Sequence, residues 1–215
     1  MVRKSLMIVL SLVVILSFSS LGFAQESWEW NSFTAQYERF KYEITTYSSY
    51  YDYDLEQDVP VEKQQTQVIE LVRVDDETFE VTMASTYDVP QNELGDQLSL
   101  MGLGMGWATG GGEWIGEFMM LGFFASDLEL EVGSSMQTFD GARIRVVEKQ
   151  TVAGVDGYFC TKSRRQEDSD GKRVDILTSE WVIAPDVGWP LVVRVYNQEG
   201  DQVKYVMQLV EYDRK

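Results

Sequence analysis

Along the chain, apolar and polar residues change their rhythm three times. Phe40, Tyr42, Ile44 and Thr46 fall at period two with Arg39, Lys41, Glu43 and Thr45 between them, the signature of a strand with one buried face. A Tyr- and Asp-rich stretch, TTYSSYYDYDLEQDVPVEK, reads as a link to a second strand near 66–74. Asp75-Asp76-Glu77 then turns the chain into a third strand, where Phe79, Val81, Met83, Ser85 and Tyr87 alternate with polar residues until Val89-Pro90 ends it.

The rhythm then becomes helical. Asn92 is a fitting N-cap, and Leu94, Leu98, Met101 and Met105 follow at i, i+4, i+7 and i+11. Gly102, Gly104 and Gly106 each weaken such a helix by about 1 kcal/mol relative to Ala. After Gly110-Gly111-Gly112, Glu113 and Glu117 mark the single polar line of a second helix that is apolar elsewhere and must be covered. From Asp127 onward period two returns in runs near 134–139, 142–152, 157–166, 172–184, 190–197 and 202–212. Turn-forming residues separate these runs, such as Asp140-Gly141, Pro185-Asp186-Val187-Gly188 and Glu199-Gly200-Asp201. Links this short allow only antiparallel neighbours, so a six-stranded meander is expected. The whole chain is expected to be mainly β (α+β): a strongly curved antiparallel sheet or incomplete β-barrel, with residues 93–125 inserted as a helical, lid-like segment.

The N-terminus bears on compartment. Arg3 and Lys4 precede an apolar run from Leu6 to about Leu16, and Gly22-Phe23-Ala24 closes the stretch. This is the pattern of a secretory signal peptide over residues 1–24, too short in its apolar part for the roughly 20 residues of a span. The expected product is an exported protein of the periplasm or cell envelope with one domain over residues 25–215. Gln25, not Cys, stands directly after Ala24, so a lipoprotein anchor is not expected.

Charge and missing residue types narrow the chemistry. The net charge is −17, and it is concentrated: residues 25–142 hold 23 acids and 4 bases, whereas residues 143–215 hold 12 of each. A nucleic-acid partner is excluded by the lack of a basic footprint. The chain has no His and one Cys, Cys160, so His-based catalysis, His-ligated zinc and an intrachain disulfide are all unavailable. Cys160 sits in a strand-like run and is expected in the core. No catalytic residues, metal or cofactor are expected.

Three surface clusters have weaker functional readings. Tyr47, Tyr50, Tyr51 and Tyr53 with Asp52, Asp54, Glu56 and Asp58 offer the groups of a Ca²⁺ or sugar site, but the spacing is not that of an EF-hand, so a solvated loop is the expectation. The basic group Lys162, Arg164, Arg165, Lys172 and Arg173 could meet an anionic headgroup, although a solvated hairpin face is the simpler outcome. Trp181 and Trp189 read as packing residues of the sheet.

The C-terminal run E-W-V-I-A-P-D-V-G-W-P-L-V-V-R-V-Y (Glu180 to Tyr196), followed by Gly200-Asp201 and Lys204 to Tyr212, resembles the closing strands of the LolA/LolB-type outer-membrane lipoprotein-sorting proteins and their exported relatives. Val132-Gly133 through Val152-Ala153-Gly154 and Gly157-Tyr158 are similar to the same group. The resemblance implies an incomplete barrel whose helical lid covers an apolar cavity for acyl chains, with no catalysis. It also implies a lipid or acylated protein as partner, and transient contact with the membrane or with envelope proteins. A monomer is expected. Residues 95–124 hold nine Gly and four Met, more than the family pattern, and no lid-latching Arg aligns. Thioethers adapt to irregular apolar shapes and glycine hinges move easily. Met101, Met105, Trp107, Trp114, Phe118, Met119 and Phe123 are therefore the candidate ligand-facing residues, and a dry core filling is their alternative role. A structural or interaction protein that docks through the same segment is the second class of function.

Overall fold

The computed structural model describes residues 26–30, 32–89, 91, 120–122, 124, 127–167 and 171–215. They form one nine-stranded antiparallel sheet: β1 (Tyr37–Asp52), β2 (Gln57–Arg73), β3 (Phe79–Tyr87), β4 (Ser135–Gln137), β5 (Arg143–Val152), β6 (Val155–Glu167), β7 (Arg173–Ile183), β8 (Val192–Tyr196) and β9 (Val203–Arg214). The order β3-β2-β1-β9-β8-β7-β6-β5-β4 contains two meanders, joined where the first strand pairs with the last. β3 and β4 lie at opposite ends, so the sheet is open.

The expected third strand and the C-terminal six-stranded meander are present. The stretch read as a Tyr- and Asp-rich link is instead strand: β1 continues to Asp52 and β2 begins at Gln57, in unbroken register from Tyr37↔Val72 to Asp52↔Gln57. A tight turn closes this hairpin, with the Asp52 carboxylate accepting the Asp54 and Leu55 N–H groups at 2.8 and 3.1 Å. The β1–β9 pairing stops at Thr46↔Tyr205 and the β2–β3 pairing at Gln65↔Tyr87. Residues 47–62 therefore project from the sheet as a two-stranded arm.

A helical pair across residues 93–125 is not supported: helix is described at 120–122 and 124, and most of that insertion lies outside the described residues. So do residues 1–25, which hold the expected signal peptide.

Register dictates which side chains share a face. Val146, Cys160, Trp181, Val193, Met207 and Ile44 form one row across β5, β6, β7, β8, β9 and β1, and all six are buried. Over this face lie Trp28 from the segment before β1, Leu121 and Phe124 from the helical piece, and Leu128 and Leu130, all within the same apolar cluster. The Trp28 indole donates to the Val187 carbonyl at 2.6 Å, and its ring meets Trp30 edge-on at 5.5 Å. Trp30 in turn packs on Trp189 at 5.0 Å. Gly122 lies against the Trp30 ring, where an added Cβ would stand 3.1 Å away.

The covering segment also touches the turn before β8. A Cβ on Gly188 would lie 2.5 Å from the Ser32 carbonyl oxygen and 2.7 Å from the Ser32 nitrogen, so only glycine fits without moving backbone. Gly188→Ala is expected to destabilise the fold by about 1–3 kcal/mol, the usual cost of overpacking. Thermal melts of the two proteins check this, and equal melting temperatures would remove Ser32 from contact with that turn.

Candidate functional site

The core face does not end where its cover ends. On β2, Ile69 and Leu71 share the face of Phe40 and Glu38 and are buried. Across the next ladder they face Met83 and Val81 of β3, yet these two are 63% and 54% exposed. An apolar floor thus runs out from under its cover. Phe79 ends it on one side, with the Arg73 guanidinium 4.5 Å over its ring. Toward the arm the same face carries the pairs Ser48↔Val61 and Tyr50↔Val59.

The chain leaves the sheet at this floor, since β3 is the last strand before the connection to β4. The connection from β3 to β4, residues 88–134, starts at one end of the sheet and re-enters at the other. Nine strands at a spacing of about 4.8 Å make a sheet close to 40 Å wide, so the connection has a long way to travel. Leu121 and Phe124, near its far end, are part of the buried cluster, with Met120 packed against it. The seven candidate ligand-facing residues Met101, Met105, Trp107, Trp114, Phe118, Met119 and Phe123 lie outside the described residues.

Other candidates resolve differently. Cys160 is fully buried on the core face, and burial pushes its thiol up to about 12. It is expected to resist iodoacetamide at pH 8 in the folded protein and to react fully in urea. Alkylation of the folded protein at the rate of a free thiol would contradict this burial.

The basic group is divided by the fold. Lys162 is only 3% exposed and lies on the core face, its Nζ 3.7 Å from the Asp140 carboxylate. Arg165 pairs with Asp175 at 3.3 Å and Arg173 with Glu167 at 3.8 Å, while Arg164 donates to the Gln198 carbonyl at 2.6 Å. The Tyr and Asp cluster occupies the arm, where Tyr50, Tyr51, Tyr53 and Leu55 are exposed and Asp52 is engaged in its turn. Among the described residues no group of three or more acidic or Cys side chains is placed to hold a metal ion. Trp181 is buried and Trp189 packs against the core, as expected of both.

Two features escaped sequence reasoning. The Trp28 and Trp30 pair supplies part of the cover, and Trp-x-Trp next to the first strand was the available signal. Glu38 is 1% exposed on the core face, accepting the Tyr212 hydroxyl at 3.1 Å. Its position at period two with Phe40 and Tyr42 marked it for that face. Burial, foremost, and the nearby Glu38 carboxylate hold the Tyr212 phenol well above its ordinary pKa.

Comparison of the chain with protein-family models, with curated proteins and with solved structures gave no match.

Proposed function

We propose that this is an exported envelope protein that binds an apolar ligand, a lipid or an acylated protein, non-covalently and without catalysis, in the manner of a LolA-like carrier. One observation carries the proposal: the apolar floor passes beyond its cover onto β3, leaving Val81 and Met83 exposed. The Gly-, Met- and aromatic-rich segment follows directly after that strand in the chain. In this reading residues 95–124 act as the movable cover and an acyl chain lies between them and the floor. Met101, Met105, Trp107, Trp114, Phe118, Met119 and Phe123 then face the ligand. Release needs only that the cover shift, which Gly110-Gly111-Gly112 permits.

Native mass spectrometry of protein purified from a bacterial periplasm tests the proposal. The expected result is mass above that of the polypeptide, lost when Trp114 and Phe118 are replaced by Glu in a variant that keeps its far-ultraviolet circular dichroism. A polypeptide mass unchanged after incubation with phospholipid vesicles and with acylated peptide would overturn it. A second reading, an interaction protein of the envelope, is favoured by the arm, where Tyr50, Tyr51, Tyr53 and Leu55 form an exposed aromatic and apolar surface.

A further inference from the structure

Open sheets must guard their edges, because a free row of N–H and C=O groups recruits further strands. Among the described residues, several edges of this sheet are guarded. At one end, β4 is only three residues long. The part of β2 that overhangs β3 carries Pro60 and the charged Asp58, Glu62 and Lys63. β3 is guarded less: it is nine residues long, without proline, and carries one charged residue, Glu80. It pairs with β2 in unbroken register, so no bulge twists it away. Residues 80–86 are all exposed, and β2 is its only strand neighbour among the described residues.

We propose that β3 pairs antiparallel with β3 of a second copy, about a two-fold axis through Met83, making one continuous sheet across the dimer. The strand is self-complementary in this register. Phe79 faces Tyr87, Val81 faces Ser85, and Met83 faces its own counterpart, so each end has an aromatic pair and the centre an apolar one. Glu80 falls opposite Thr86, so no like charges meet within the ladder. A two-fold axis perpendicular to the sheet keeps both core faces on one side, and the floors at Val81 and Met83 merge. Outside the ladder, the acidic turn Asp75-Asp76-Glu77 of each copy approaches Asp88 of the other. Added salt screens that repulsion and strengthens the pair. The proposed dimer differs from the monomer expected from sequence.

Sedimentation equilibrium and a register-specific cross-link test the proposal. The full exported protein is expected to dimerise reversibly at micromolar to tens of micromolar concentration, more tightly at 0.5 M than at 0.05 M NaCl. Val81→Lys and Met83→Lys change side chains that are exposed on this edge, and together they are expected to weaken association about tenfold or more. Because Cys160 is buried, a cysteine introduced on β3 is the reactive thiol. Met83→Cys is expected to give a disulfide-linked dimer under mild oxidation, since facing residues bring their Cα atoms within disulfide range. Glu80→Cys, displaced from its counterpart by several residues, is expected not to. Monomeric wild type at every concentration, or equal cross-linking of the two cysteine variants, would overturn the proposal. Its failure is separable from failure of the lipid reading, because bound lipid is read as added mass on each polypeptide and pairing as a doubling of the polypeptide.

Discussion

Replacing Trp28 by Ala is expected to lower stability by about 3–5 kcal/mol, the range for emptying a large buried aromatic site. For a domain of this size that corresponds to a fall in melting temperature of about 6–20 °C. Trp28 is fully buried, and it is the point where the segment before β1 is fixed to the core. Its ring contacts Trp30, which carries the helical piece through Gly122. Its indole N–H holds the Val187 carbonyl. Trp28→Phe separates the two contributions, since it retains most of the apolar volume but leaves that carbonyl without its donor, at about 1–3 kcal/mol. Urea unfolding of both variants measures the difference. A cost below about 1 kcal/mol for Trp28→Ala would show that the cover over the sheet does not depend on this residue.

The second large effect concerns Asp140 and Lys162. Asp140→Asn is expected to destabilise the protein by about 1–3 kcal/mol at pH 7, because it takes a carboxylate charge away from the ammonium of a nearly fully buried lysine. Asp140 itself is part exposed, which keeps the figure below that of a fully buried pair. Lys162→Met, which removes the charge and keeps the stem, is expected to be neutral or stabilising. Partial burial raises the Asp140 pKa, but hydrogen bonds from the Thr138 hydroxyl and the Ala142 N–H, together with the Lys162 charge, outweigh it and hold the group below its ordinary value. A carboxylate with a depressed pKa stabilises the folded state above the unfolded value of about 3.9 and loses that contribution as pH falls through the lower folded value. The stability gap between wild type and Asp140→Asn should therefore be flat from pH 7 to about 5 and close in stronger acid. A gap that stays constant down to pH 2 would assign the effect to the turn and not to the charge.

Period-two alternation located every strand that has the core beneath it, since contrast between the two faces is what burial imprints on sequence. It failed on residues 47–62, where both faces of the arm meet solvent and tyrosine, serine and acids occupy either side. Turn chemistry was readable for the same reason that the meander was: each signal is local. The pairing of β1 with β9 joins the chain's two ends through contacts such as Glu38↔Arg214, and no short stretch encodes it. Lys162 was assigned to the surface from its charge, although its spacing from Tyr158 and Cys160 put it on the core-facing parity. The candidate ligand-facing residues were chosen from composition, and the exposure of Val81 and Met83 is something alternation alone shows only as one more half-buried strand.

The junction of β1 with β9 also governs the order of events when the chain is made from its N-terminus. β1 to β3 can form a hairpin and its extension early, but a central strand neighbour of β1 is the last strand of the chain. Until Val203–Arg214 has emerged, β1 presents an unpaired inner edge and Phe40, Tyr42 and Ile44 lack the far half of their core. Contacts spanning most of the chain make such a fold slow to complete. The interval in which the acidic N-terminal half stands unfinished is then set by how fast the remaining residues arrive, and its many like charges are what keep neighbouring unfinished chains apart.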